Sequence, residues 1–397
     1  MSTPPTPQRI FVTGMGAITP LGFSVAETWH GLLAGTSAIG PMDLFDLGGM
    51  ACTQAGQIRN FTPPAAITAA GARDRAGGFA AAACLEALVN AGTACRAPTA
   101  LVTATNFGAM DHAESALVGD APAAAAARDL SAGVTADLLA AALNLTGPRA
   151  TITLSCAAGA AGLAYAAGLI RHGRAERVLV VGYDAISRFA WSGLCALRTM
   201  TKDRVRPFDL NRAGTIFTEG AAALLLESES CCIGRGAAPL AELVGWGTNN
   251  NGFHITAPAP RGAGSAQAMR QALARASLPP EAIDHINAHG TGTKPNDSTE
   301  SQAIADVFGA RAPKIPVTSI KSSLGHMLGA AGTIEAIASV MSLREGVIPP
   351  TTNFVTPDPE CTVDLVANQP RAVKMRHVLS NSAGIGGANA VVIFGAA

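Results

Sequence analysis

Residues 157–170 read AAGAAGLAYAAGLI and carry no charged or amide side chain. At 3.6 residues per turn the segment makes a helix of about four turns with no polar face. A helix that is apolar all round is buried on all sides. Its many Ala and Gly side chains allow close packing, so it belongs between two layers. The whole chain shares this bias, with 43 glycines and only 5% aromatic residues. Small residues in that number suit a layered α/β core.

The rest of the chain alternates between two periodicities. Apolar, β-branched runs at 9–14 (RIFVTG), 100–105, 150–154 (ATITL), 177–182 (RVLVVG), 221–227, 241–246, 285–288, 378–381 and 390–394 read as strands. Helical segments are expected at 24–34, 79–92, 157–170, 264–276, 299–308 and 329–343. Gly234-Arg235-Gly236 reads as the turn between two strands. Strands separated by helices give an α/β architecture. A chain of 397 residues holds two domains or one large double unit. Element order in 9–235 resembles that in 236–397, although no residue-level repeat joins them. Residues 1–8 read as a mobile tail.

Lys plus Arg and Asp plus Glu both number 28, so net charge gives no argument for nucleic acid or an anionic membrane. No apolar run reaches the ~18 residues of a membrane span. The first nine residues, MSTPPTPQR, lack the apolar stretch of a secretory signal. The eight cysteines are scattered without a CxxC, and only Cys231 and Cys232 adjoin. Neither a disulfide framework nor a zinc site is expected, no metal is implied, and reduced cytoplasm is the expected compartment.

Cys156 lies where a strand ends and the apolar helix begins. Helix N-termini carry partial positive charge and free N–H donors. A cysteine there is expected to have a lowered pKa and to act as a nucleophile. His289, in Asn287-Ala-His-Gly-Thr-Gly-Thr293, falls at the carboxyl end of a short strand, a usual position for functional groups. Thr291 and Thr293 alternate with glycine, so two hydroxyls can point the same way. Asp297 and Glu300 fall at the start of the next helix, where carboxylates complement the helix dipole. Lys321 and His326 form a second candidate site ahead of a helix containing Glu335. The glycine-rich loop Ser380-Asn-Ser-Ala-Gly-Ile-Gly-Gly387 can present backbone N–H groups to an anion. His254 is a candidate neighbour of the site.

These segments resemble, in order, the elongating β-ketoacyl-acyl-carrier-protein synthases of the thiolase superfamily. The resemblance runs from Val12-Thr-Gly-Met-Gly-Ala-Ile-Thr-Pro-Leu-Gly22 through Ser155-Cys156-Ala157, Arg206-Pro-Phe-Asp209 and Thr218-Glu-Gly220. It continues with Asn287-Ala-His-Gly-Thr291, Lys321 with Gly325-His326, and the closing Ser380-Asn-Ser and Gly386-Gly387. It implies a thiolase fold, two pseudo-repeated halves stacked in five layers, α-β-α-β-α. It implies a Cys156-His289-His326 triad performing decarboxylative Claisen condensation of a malonyl group with an acyl group on Cys156. By the same resemblance, Cys156 and Ile385 supply oxyanion N–H groups, and Thr291 and Thr293 bind the pantetheine arm. Lys321 pairs with Glu335 or Glu300 and sets the field around the histidines. No cofactor is implied, because substrates arrive on the phosphopantetheine of an acyl carrier protein. A homodimer, or a heterodimer with a chain-length-factor-like subunit, is the expected assembly.

The chain departs from the family pattern in places. The family's terminal loop usually reads Ser-Phe-Gly-Phe-Gly-Gly, and here Ala383 and Ile385 replace both aromatics. Phe107 falls where Leu or Ile often lines the acyl pocket, implying a preference for short or unusual chains. The stretch 65–72, AAITAAGA, is uncharged where the family's carrier-protein patch is usually basic, leaving Lys202, Arg204 and Arg206 for the acidic carrier. Two other functions compete: a non-catalytic chain-length-factor-like partner, and an acyltransferase or malonyl decarboxylase that does not condense.

Overall fold

The computed structural model describes residues 8–92, 98–117 and 131–397. The expected tail therefore lies outside the described residues, apart from Gln8, as does Cys95.

Two strand sets with the same topology build the molecule. In the first, strands Ile10–Ile18, Ala100–Ala104, Arg149–Ile152, Arg177–Asp184 and Gly220–Ser228 take the spatial order first, fifth, fourth, second, third. In the second, Ala241–Asn250, His285–Asn287, Pro316–Thr318, His377–Gly384 and Ala388–Gly395 take the same order. Both sets are antiparallel through their first three members and parallel beyond. They meet edge to edge at Phe11–Glu242 and Val12–Ala241. The short strand Asp364–Leu365 extends the second set beside Pro316–Thr318.

The strands are apolar on both faces because both faces are covered. Along Gly220–Ser228, Ala222, Leu224 and Leu226 enter the central core. Ala221, Ala223 and Leu225 enter a second core under helices Arg75–Asn90 and Val134–Leu143. A third core lies between the second sheet and helices Ala263–Ala276 and Lys294–Phe308. The middle layer holds helices Ala158–Arg171 and Ala331–Glu345, so the stack is α-β-α-β-α. Their backbones meet at Gly159 and Gly332, where a methyl group on either would run into the other helix. The all-apolar helix is buried as expected, except that Tyr165 is 45% exposed.

The expected turn at 234–236 is preceded by a helix. Glu229–Gly234 winds into a short helix because Ser228 caps it, its hydroxyl accepting from the Cys231 N–H. Strand Pro316–Thr318 is only three residues long and opens on proline, which hid it from pattern reading.

Candidate active site

A cavity of about 350 Å³ opens at the carboxyl ends of both strand sets and is lined by Cys156, His289, Thr291, Thr293, His326 and Ile385, among others. Local backbone chemistry brings each of them there. Ser155 sits at φ +50°, in the left-handed region, and this bend turns Cys156 out of the strand just before the helix starts. His289 follows strand His285–Asn287 after one residue, Ala288. Its N–H and that of Gly290 donate to the two carboxylate oxygens of Glu300 at 2.7 and 2.8 Å. Asn381 Nδ2 donates to the same carboxylate at 2.6 Å. Asp297 accepts from the N–H groups of Phe208 and Gly292. Both carboxylates are buried and clamp the histidine loop, and Asp297 also stands in the first turn of helix Lys294–Phe308, as the dipole favours. Burial raises the pKa of both, Asp297 to about 6, against the backbone donors that lower it.

Lys321 resolves the choice between carboxylates. Its ammonium is 1% exposed and forms an ion pair with the equally buried Glu335. It also donates to the His289 carbonyl at 2.7 Å and stands 3.3 Å from His289 Nδ1. Glu300 makes no hydrogen bond or ion pair with it. Burial pushes the Glu335 carboxyl up to about 7, opposed chiefly by Lys321.

The histidines face each other edge to face, with ring centroids 5.5 Å apart. His326 Nδ1 accepts the Leu328 N–H at 3.1 Å, and its main chain is held by Ile216 and Thr218. An ammonium donor beside His289 Nδ1, and an amide donor on His326 Nδ1, leave the protons on Nε2 in both rings. Burial drives both pKa values well below 6.5, and the Lys321 charge adds to the shift. Both rings are therefore neutral, and His326 Nε2 is buried without a protein partner.

The expectation for Cys156 is reversed. Burial pushes its thiol up to about 11, although Lys321 and a hydrogen bond from the Ile385 N–H both pull it down. Desolvation outweighs the helix terminus, since burial acts on the whole thiolate charge and the terminus offers only partial charge. Ile385 lies in the turn between strands His377–Gly384 and Ala388–Gly395 and is 37% exposed at the cavity. The hydroxyls of Thr291 and Thr293 are 2.8 Å apart and face the same space.

Phe107 is not among the residues that border the cavity and packs against a buried cluster of Phe217, Ile186, Trp191, Leu194 and Leu328. Lys202 and Arg204 are exposed, and Arg206 pairs with Asp203 at 2.6 Å. Their segment lies beside the threonine loop, with Val205 and the Arg206 nitrogen packed against Gly292. His254 is exposed, and its Nδ1 accepts the N–H groups of Thr256 and Ala257, which line the cavity.

Pattern reading missed Phe217 and Asp184. Phe217 lines the cavity and lies 5.4 Å from the His326 ring. Buried Asp184 accepts from Thr105 Oγ1 and from the N–H groups of Asn106, Phe107 and Gly329, tying the two halves of the site together. Its place at the carboxyl end of strand Arg177–Asp184 was the available signal.

The family description "Beta-ketoacyl synthase, N-terminal domain" matches residues 7–231, and "Beta-ketoacyl synthase, C-terminal domain" matches 240–355. The chain belongs to the β-ketoacyl synthase family. It is 35% identical over 406 aligned positions to 3-oxoacyl-[acyl-carrier-protein] synthase 2 of Synechocystis sp., covering 98% of each chain. It is 38% identical to nodulation protein E of Rhizobium meliloti, covering 98% of this chain and 99% of that one. The solved ishigamide ketosynthase/chain length factor matches with a TM-score of 0.91 and 36% identity, over 99% of this chain and 100% of that chain. The fold is accordingly the thiolase fold, and the protein is a ketosynthase, an acyltransferase of fatty acid or polyketide synthesis. No helix among the described residues is long and apolar enough to cross a membrane.

Proposed function

We propose that this ketosynthase condenses a malonyl unit with an acyl group carried on Cys156, using His289 and His326 as paired hydrogen-bond donors. The supporting observation is the pair of neutral imidazoles whose Nδ1 atoms face donors, so that Nε2–H is what each offers the cavity. Two such donors suit an oxygen on which negative charge develops.

In the first half-reaction the Cys156 sulfur attacks the acyl thioester, and the pantetheine thiolate leaves. The thiol, held near 11, is not ionised at rest. It loses its proton as the C–S bond forms, and the departing thiolate takes that proton up. N–H groups of Cys156 and Ile385 hold the tetrahedral oxygen. In the second half-reaction the malonyl C–C bond breaks, CO2 leaves, and the electron pair becomes an enolate. Its oxygen is held by His289 and His326 Nε2–H. The enolate carbon attacks the acyl carbonyl on Cys156, the sulfur leaves as thiolate and takes up a proton from water, and a β-ketoacyl thioester departs on the carrier. Lys321, paired with Glu335, holds His289 in its tautomer and adds to the burial that keeps both rings neutral. It is a positioning residue.

Thr291 and Thr293 are assigned to the pantetheine arm, since their hydroxyls face the cavity. Lys202, Arg204 and Arg206 are assigned to an acidic acyl carrier protein, since their segment lies beside that threonine loop. We place the division between the halves after residue 235, where the Glu229–Gly234 helix has ended and the second strand set is about to begin. Dimerisation with a second copy is the reading we favour. Similarity to the ishigamide ketosynthase/chain length factor makes a chain-length-factor-like subunit the alternative partner. Cytoplasm is the assigned compartment, from the reduced scattered cysteines.

Intact-mass analysis after exposure to acyl-carrier proteins, beside a Cys156→Ala control, tests the reading. An acyl mass gain lost in the control, followed by a β-ketoacyl product with malonyl carrier, is expected. Acylation or CO2 release without a carbon–carbon product means a transferase or decarboxylase. No acylation at all means a non-catalytic partner.

A further inference from the structure

Phe217 lines the cavity together with Cys156 and also belongs to a buried apolar cluster. Trp191, on helix Arg188–Ala196, lies within that cluster and is 0% exposed. Its indole N–H donates to the Cys52 carbonyl at 3.2 Å, which fixes the plane of the ring. Leu194, Ile186 and Leu328 pack in the same cluster, with Phe107 at its partly buried rim. Phe107 has its own tether, the bond from its N–H to Asp184 at 3.0 Å. Phe217 borders both the cavity and this cluster, so an acyl group that reaches past Phe217 meets the cluster.

We propose that Trp191 is the floor of the acyl site, a specificity-determining residue that confines the group on Cys156 to short chains. This rests on the reading of Cys156 as the acyl carrier. The two aromatics share the task unequally. Trp191 is the larger, fully buried and pinned by its ring nitrogen. Phe107 is tethered through its backbone N–H and lies at the partly buried rim.

The test is competitive acylation, read by intact mass, with acetyl-, butyryl-, hexanoyl-, octanoyl- and dodecanoyl-carrier proteins. Wild-type protein is expected to take acetyl and butyryl groups, with labelling falling steeply beyond hexanoyl. Trp191→Leu opens space next to Phe217. It should raise octanoyl relative to acetyl labelling by about fourfold for each methylene group that the space accepts. Trp191→Phe, a smaller change that keeps an aromatic ring in the cluster, should move the ratio in the same direction by less, and Phe107→Leu by less than Trp191→Leu. Circular dichroism and melting curves verify that each variant is folded. Equal wild-type labelling by octanoyl and acetyl groups overturns the proposal, as does an unchanged ratio in folded Trp191 variants. Absence of labelling by every acyl group overturns it together with the reading of Cys156, whereas labelling with an unshifted profile overturns the floor alone.

Discussion

Replacing Lys321 by Met removes the one ammonium that three buried groups share. Lys321 and Glu335 are each 1% exposed, and the same ammonium serves the His289 carbonyl and faces its Nδ1. Breaking a buried pair from one side costs about 3–5 kcal/mol, because the remaining charge is left uncompensated. Here Glu335 limits the loss, since its carboxyl already titrates near 7 and takes up a proton once the lysine is gone. The lower end of that range, about 3 kcal/mol, is therefore expected in urea unfolding at pH 7. Substituting both partners, Lys321→Met with Glu335→Leu, should restore most of this stability, as apolar replacement of a buried pair often does. Condensation should not return with it. His289 Nδ1 has then lost the ammonium beside it, and both imidazoles have lost the charge that helps hold their pKa values down. Imidazole resonances in a pH titration should move toward 6.5 in the double variant, while kcat stays at least roughly tenfold below wild type, which is about 1.4 kcal/mol of barrier. A double variant that is stable and fully active would refute the assignment of Lys321 as a positioning residue. A single variant that loses less than about 1 kcal/mol would refute the burial argument.

Three further outcomes follow from other parts of the molecule. His285 is buried, neither ring nitrogen has a partner, and burial lowers its pKa from 6.5 to about 3. The unfolded chain binds a proton there below pH 6.5 while the folded protein does not, so this group costs stability as pH falls from 6.5 toward 3, by about 1.4 kcal/mol per unit. The advantage of His285→Leu over wild type should thus be about 2 kcal/mol larger at pH 5 than at pH 7 in chemical unfolding, and a pH-independent difference would contradict it. Gly332→Ala drives a methyl group into the Ala160 backbone of the facing helix and should destabilise the protein by about 1–3 kcal/mol, seen as a lowered Tm. Thr293→Val, which removes a cavity hydroxyl, should raise KM for malonyl carrier roughly tenfold with kcat little changed, the mark of lost uniform binding.

Much of the candidate site was legible from the chain because its geometry is local. Cys156 at a strand-to-helix junction, His289 after a short strand, and His326 one residue past Gly325 are placed by neighbours a few residues away. The same holds for the two threonines, whose alternation with glycine sets their hydroxyls together. The buried helix was legible too, since a surface without a polar face dictates what must cover it. Strand Pro316–Thr318, three residues opening on proline, carries too little periodicity to announce itself.

Tertiary structure decided the quantities that depend on distant groups. Sequence offered both Glu300 and Glu335 to Lys321. Folding gave the lysine to Glu335 and turned Glu300 into a clamp on the His289 backbone, because helices Lys294–Phe308 and Ala331–Glu345 approach the loop from different sides. The helix terminus suggested an acidic thiol at Cys156, yet the enclosing layers removed water and pushed it up to about 11. Phe107 matched an acyl-pocket position by its place in the chain, and packing set it against the cluster that holds Phe217 and Trp191. Local pattern determines which groups arrive at a site. Burial and through-space partners, which no pattern encodes, determine their charge, their tautomer and what they touch.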